Sequence, residues 1–263
     1  MGVLNVTPDS FFDGDSFLDP SRAFDHAQQM VADGADIIDI GGESTRPGSD
    51  TVPLDEEISR TIPVITALAR KLSVPISIDT RKAEAVRHAI DAGASMVNDI
   101  SGLRYDPAMA EVIAAAGVPV CVMHMRGAPK NMQMSPAYEA LIPEIMDSLR
   151  QSIGLALDAG IPVENIIVDP GIGFGKTCNH NLEILDRLEE FTLLSRPLLV
   201  GVSRKSFIGR ILEDAPPSGR LEGTLASVAV AVYNGANIVR VHDVKEAAKI
   251  VRVVDAIRRG TCC

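Results

Sequence analysis

Two sets of polar residues in this sequence could act together on an anion and on a planar heterocycle. The first set is cationic: Ser203-Arg204-Lys205-Ser206, and Arg240 with His242. Arg240 and His242 alternate along an apolar run, so on a strand their side chains share a face. Lys, Arg and His together would give charge-assisted hydrogen bonds to a phosphate-type anion, although Arg240 could instead pair with a neighbour such as Asp243. The second set is Asp79, Asn98 and Asp169, each closing a short apolar run. A buried carboxylate there needs a donor, which Lys205 or the N–H edge of a heterocycle would supply. Asp169-Pro170-Gly171 also reads as a turn initiator. Asn5 offers a carboxamide oxygen to a hard cation such as Mg²⁺ beside phosphate oxygens, or caps a turn. Asp39 either orients a substrate or bonds the Gly41-Gly42 turn, and Met123-His124-Met125 offers a polarisable surface to a flat ligand or packs in the core. Gly171-Ile172-Gly173-Phe174-Gly175-Lys176-Thr177 is not a phosphate loop, because Pro170 stands where the first glycine is required. Its glycines predict a tight strand-to-helix turn that presents Phe174. No protein nucleophile stands out.

The elements that must carry these residues are regular. Eight apolar runs recur: Gly2–Asn5, Ile37–Ile40, Ile76–Asp79, Met96–Asp99, Val120–His124, Ile166–Asp169, Leu198–Ser203 and Ile238–His242. Runs this short and rich in Val and Ile suit parallel strands covered on both faces. Helical periodicity fills the intervals, at about 20–33, 54–71, 82–92, 106–116, 136–159, 179–190, 204–212 and 243–259, with an additional helix over Leu221–Tyr233. Asp19-Pro20 and Asp106-Pro107 predict caps before a first-turn proline, and Gly34, Gly93, Gly117 and Gly160 predict left-handed C-caps. The pattern predicts an α/β fold, a single (β/α)₈ TIM barrel over residues 1–263, with its active site at the C-terminal strand ends and an extra helix between strands 7 and 8. Two strand-to-helix connections, Thr7 to Asp19 and Gly41 to Pro53, exceed the usual range of about 2–6 residues and predict substrate-ordering loops on that face.

Composition agrees. The 263 residues match one barrel, and 46% hydrophobic content with 4% aromatics and no Trp implies an interior filled by branched aliphatics. A net charge of −10 argues against nucleic acid as a partner. Cys121, Cys178, Cys262 and Cys263 form no disulfide or metal-ligand pattern, Cys121 reading as a small buried hydrophobe. No apolar run approaches the ~20 residues of a membrane span and no signal peptide is evident, so the expected compartment is the cytoplasm.

At this point the motifs resemble a known family. Met1-Gly2-Val3-Leu4-Asn5-Val6-Thr7-Pro8-Asp9-Ser10-Phe11 looks like the opening signature of the dihydropteroate synthases, and Asp39-Ile40-Gly41-Gly42-Glu43-Ser44-Thr45-Arg46-Pro47-Gly48 resembles their second. Asp79-Thr80, Asn98-Asp99-Ile100, Met123-His124-Met125, Asp169-Pro170-Gly171, Ser203-Arg204-Lys205-Ser206 and Arg240-Val241-His242-Asp243 follow in the family's order. The resemblance implies a transferase that condenses (7,8-dihydropterin-6-yl)methyl diphosphate with 4-aminobenzoate, giving dihydropteroate and diphosphate for folate synthesis. It implies pterin binding by Asp79, Asn98, Met123, Asp169, Phe174 and Lys205. It implies diphosphate binding by Asn5, Arg240 and His242, with Mg²⁺ held at Asn5. The 4-aminobenzoate site would comprise Phe11, Thr45, Arg46, Pro47, Phe174 and Ser206. Asp79, Lys205, Arg240 and Asp39 would carry the catalysis, the protein would be a homodimer, and sulfonamides would inhibit it.

Family members usually carry a segment ahead of the first signature; a start at Met1-Gly2 predicts a short first strand. Two rival readings share the pterin residues. A non-catalytic pterin-binding paralogue would have less need of Lys205 or of the Thr45-Arg46 loop, and a pterin-barrel methyltransferase with a corrinoid partner would leave Arg240 and His242 unexplained.

Overall fold

The eight apolar runs form eight parallel strands. The computed structural model describes residues 1–7, 20–44, 48–134 and 136–261. Within them run β1 (Gly2–Asn5), β2 (Ile38–Gly41), β3 (Ile76–Asp79), β4 (Met96–Asp99), β5 (Val120–Met123), β6 (Ile166–Asp169), β7 (Leu199–Val200) and β8 (Ile238–Val239). The first six pair in sequence order, and β7 pairs with β8. Parallel bridges between Val168 and Leu198 and between Gly2 and Val241 close the ring. The Val3 amide donates to the Val241 carbonyl and the Val241 amide to that of Met1, each at 3.0 Å, which seals β8 against β1. The fold is the (β/α)₈ barrel that the pattern predicts.

Nine helices lie outside the ring among the described residues: α1 (Pro20–Ala32), α2 (Leu54–Ala69), α3 (Ala83–Asp91), α4 (Met109–Ala116), α5 (Leu141–Asp158), α6 (Cys178–Asp186), α7 (Ser206–Ile211), α8 (Leu221–Tyr233) and α9 (Val244–Arg259). Helix α8 is the extra one. Helix α4 starts three residues later than predicted because Asp106 does other work. Its two oxygens accept from the Ala108 amide at 3.0 Å and from the Ala83 amide at 2.8 Å, so it caps the start of α3. Helix α5 starts at Leu141, where Glu144 reaches back to the Glu139 and Ala140 amides at 2.7 and 2.9 Å. Gly117 ends α4 in the left-handed conformation at φ +67°, as predicted. The predicted cap at Asp19, residues 8–19 of the first long loop, Cys262 and Cys263 lie outside the described residues.

Strand alternation divides the buried side chains into two cores. Ile38, Ile40, Ile78, Val97, Val120, Val122 and Val168 face the helices in the larger one. Met1, Met96, Cys121, Ile167 and Leu199 form a smaller cluster with Ile37 and Ile238 inside the ring. Sulfur-bearing side chains therefore share the interior with branched aliphatics, which alone were expected there. No helix among the described residues is long and apolar enough to cross a membrane.

Candidate functional site

One step along each strand above the inner plug, the alternation turns polar except at Met123. Asn98 follows Met96, Met123 follows Cys121, Asp169 follows Ile167, and Arg240 then His242 follow Ile238 at the same period of two. Register aligns these ends: Asn5 pairs with Gly41, Gly41 with Asp79, and Asp79 with Asn98. They surround a cleft of about 490 Å³ lined by Asn5, Asp79, Asn98, Met123, Asp169, Phe174, Lys205, Ser206, Arg240 and His242. Ten of the predicted site residues thus converge. Phe11, Thr45, Arg46 and Pro47 lie outside the described residues.

The cleft floor is an ion cluster. Arg240 Nε donates to Asp39 Oδ2 at 2.6 Å, and its Nη2 to Asp79 Oδ2 at 2.7 Å. Asn98 Nδ2 donates to the same Asp39 oxygen at 3.1 Å. Asp39 is wholly buried and does not line the cleft; it holds Arg240 and Asn98 from below, so it positions rather than touches. Burial works against the Arg240 charge, but Asp39 and Asp79 outweigh it and keep the guanidinium protonated. Burial also pushes the Asp79 carboxyl up, with Arg240 the main opposing influence. Arg240 is thus part of an ion cluster before it meets any anion, since two of the guanidinium's three nitrogens are taken by carboxylates. Asp243, the alternative partner, pairs with Arg204 instead, at 3.0 and 2.5 Å.

Asp169 combines both of its predicted roles. Oδ1 accepts from the Gly171 amide at 2.7 Å and shapes the turn, while the residue lines the cleft. Burial pushes its carboxyl up to about 6, against the Gly171 amide, Lys205 and Lys176. Lys205 does not reach it as a direct partner: its Nζ lies 4.1 Å from the centroid of the Phe174 ring, a cation–π contact. Burial and then Arg240 lower the Lys205 amine to about 8, with Asp169 opposing. Arg204 adopts φ +56°, an uncommon conformation for a residue with a side chain. Its bidentate tie to Asp243 holds it there, and Lys205 and Ser206 follow into the cleft.

His242 calls for a correction. Burial, then Arg240, lower its imidazole to about 4, so it is neutral near pH 7 rather than cationic. Ser203 Oγ accepts from the His242 amide at 3.2 Å and lies 2.9 Å from Nδ1. In the tautomer where the serine donates its proton to Nδ1, Nε2–H is a neutral donor. No group of three His, Cys, Asp or Glu suited to a metal occurs among the described residues. A Mg²⁺ ion that keeps waters and substrate oxygens needs only one or two protein ligands. The neutral Asn5 carboxamide on the cleft wall fits that demand.

Comparison with known proteins settles the kinship. A family model described as "Pterin binding enzyme" matches residues 1–242. The chain belongs to the pterin binding enzyme family. Dihydropteroate synthase of Bacillus subtilis is 49% identical over 257 residues, covering 98% of this chain and 87% of that protein. The Escherichia coli K12 protein of that name is 48% identical over 256 residues, with 97% and 90% covered. Among solved structures, Yersinia pestis dihydropteroate synthase in a sulfonamide drug complex superposes with a TM-score of 0.94 at 46% identity, covering 98% and 93% of the two chains. Xanthomonas albilineans dihydropteroate synthase with 4-aminobenzoic acid gives 0.92 at 40%, covering 98% and 92%.

This pterin binding enzyme carries further residues around its cleft that sequence reasoning missed. Arg220, from the start of α8, lines the wall beside Ser206 and donates to the Ala215 and Arg204 carbonyls at 2.8 and 2.9 Å. Nothing in its local sequence marks it. Within the second long loop, Glu43 accepts from Arg81 at 2.8 Å and from Lys82 at 2.9 Å, and Lys82 also reaches Glu57 at 2.5 Å. His124 does not line the cleft; it is buried against Lys176. The lysine of the Gly-Phe-Gly-Lys segment was the available signal.

Proposed function

We propose that this chain is a dihydropteroate synthase, a transferase that joins (7,8-dihydropterin-6-yl)methyl diphosphate to 4-aminobenzoate in folate biosynthesis. The observation that carries this is the convergence of Asp79, Asn98 and Asp169 with Lys205, Arg240 and His242 in one cleft. The naming of relatives that match the chain over nearly their whole length supports it.

In this reading the Asp169 oxygen not bound to Gly171 accepts from the amino and ring N–H groups of the pterin, with Asp79 and Asn98 completing the polar edge. Met123 and Phe174 flank the ring, and Lys205 faces it from above Phe174. The diphosphate lies toward Asn5, Arg240 Nη1 and the Nε2–H of His242. As the C–O bond at the pterin methylene breaks, its electron pair leaves on the diphosphate, whose growing charge these donors stabilise. Mg²⁺ held at Asn5 would supply Lewis-acid stabilisation of the same charge. The electron-rich dihydropterin ring delocalises the positive charge left behind, so no protein nucleophile is needed. The arylamine lone pair then forms the C–N bond, ordered by Phe11, Thr45, Arg46, Pro47, Phe174 and Ser206. Asp39 acts by holding Arg240 in place.

Residues 1–263 work as one domain in this reading, in the cytoplasm and as a homodimer. Exposed Val230 and Tyr233 on α8 beside Val253 and Ile257 on α9 support a self-association face; a monomeric mass by sedimentation would count against it. The activity is tested by incubating the purified chain with both substrates and Mg²⁺ and following dihydropteroate by chromatography. Product is expected, and none with a folded chain overturns the reading.

A further inference from the structure

Two loops meet beside the cleft with their backbones in contact. A Cβ at Gly171 would lie 1.9 Å from the His124 carbonyl oxygen, and one at Gly175 would lie 2.4 Å from that of Arg126. Into this seam, between the segment after β5 and the turn after β6, goes the side chain of Lys176, 2% exposed. Its Nζ lies 2.9 Å from His124 Nδ1, 3.0 Å from the Phe174 carbonyl and 3.4 Å from the His124 carbonyl. Burial lowers the Lys176 amine to about 7, against Asp169; its ammonium form has three N–H donors and here finds three acceptors. Burial and then Lys176 itself hold the His124 imidazole down at about 2, so the ring is neutral, and toward the ammonium form of Lys176, which has no lone pair, Nδ1 is the acceptor.

The neighbouring peptide is pinned as well. Gln133 Nε2 donates to the Gly173 carbonyl at 2.7 Å, and the Gly173 amide donates to Asn181 Oδ1 at 2.7 Å. Phe174 therefore sits between two anchored peptides, with the Lys205 ammonium 4.1 Å from its ring centroid. Neither Lys176, His124 nor Gln133 lines the cleft. They act through what they hold.

We propose that Lys176, seated on His124, and Gln133 are positioning residues: they fix the Phe174 ring and, through it, the Lys205 ammonium against a bound pterin. The inference rests on the reading of the cleft as a pterin site. A buried lysine kept only for stability would leave that ring's contribution to binding unchanged when removed, and this separates the two possibilities.

The test is a double-mutant cycle on the affinity for (7,8-dihydropterin-6-yl)methyl diphosphate, measured by calorimetry on the full chain below the melting midpoint of each variant. Lys176→Met and Phe174→Ala are each expected to weaken binding about tenfold, the weight of one desolvated cation–π contact. The double variant is expected to lose little more than either alone, since both remove the same support. Additive losses, or unchanged affinity in folded Lys176→Met, overturn the proposal. If Lys176→Met does not fold, the cycle between Phe174→Ala and Gln133→Ala decides in the same way, because Gln133 is exposed. A wild-type chain that binds no pterin overturns the functional reading and the inference with it; a wild type that binds, with an additive cycle, overturns the inference alone.

Discussion

Acidification should weaken pterin binding through one carboxyl. Asp169 is buried, its Oδ1 is committed to the Gly171 amide at 2.7 Å, and its carboxyl is pushed up to about 6. The ionised form offers only acceptors, each stronger for its charge, whereas protonation turns one acceptor position into an O–H donor and weakens the others toward two N–H groups of a heterocycle. About 99% of the groups are ionised at pH 8 and about 9% at pH 5 for such a value, so the apparent Kd should rise about tenfold between them. Binding at pH 5 should then release about 0.9 proton, and at pH 8 nearly none. Stability runs the other way. A carboxyl raised on folding stabilises the fold below its unfolded value and loses that contribution as pH rises through about 6. Going from pH 7 to 5, the ligand-free wild type should gain about 1 kcal/mol relative to Asp169→Asn. The assay is calorimetric titration with the dihydropterin substrate in two buffers of different ionisation enthalpy, the ligand's own titration being subtracted. A pH-independent Kd between 5 and 8, or a break at the ordinary carboxylate range near 4, would refute the reasoning.

Three other outcomes follow from the same geometry. Arg240→Leu leaves Asp39 and Asp79 buried without their common partner and should cost roughly 3–5 kcal/mol in chemical denaturation. Adding Asp39→Asn should recover part of that loss, and strict additivity would contradict a shared ion cluster. Gly171→Ala places a methyl 1.9 Å from the His124 carbonyl at φ +71°, so its melting midpoint should fall by several degrees and pterin affinity with it; a wild-type midpoint would show that the two loops are not in contact. Sulfonamides should raise the KM for 4-aminobenzoate without changing kcat; a purely non-competitive pattern would place their binding elsewhere.

Much of this architecture was legible because buried parallel strands announce themselves as apolar runs, and barrel chemistry sits where those runs turn polar. Asn5, Asp79, Asn98 and Asp169 were found that way. What could not be read is who meets whom across the ring. Arg240 and Asp39 are 201 positions apart, and only closure of β8 onto β1 brings them together. His242 looked cationic because its charge state depends on burial, which no local pattern reports. Helix α4 was drawn too early because the Asp106 side chain bonds the Ala108 amide ahead of the first helical turn and the Ala83 amide at the start of α3. Lys176 was weighed only as part of a phosphate loop, whereas the structure buries it against His124. The role of the second long loop rests on residues 45–47, outside the described part of the chain.

The central claim is that the cleft turns a bound pterin diphosphate over rather than merely holding it. The direct measurement is diphosphate release by the purified chain with each substrate omitted in turn. Release in one-to-one proportion with dihydropteroate, and dependent on both the dihydropterin-methyl diphosphate and 4-aminobenzoate, is the expected result. Tight pterin binding with no diphosphate released in the presence of both would contradict it and leave a binding module in place of an enzyme.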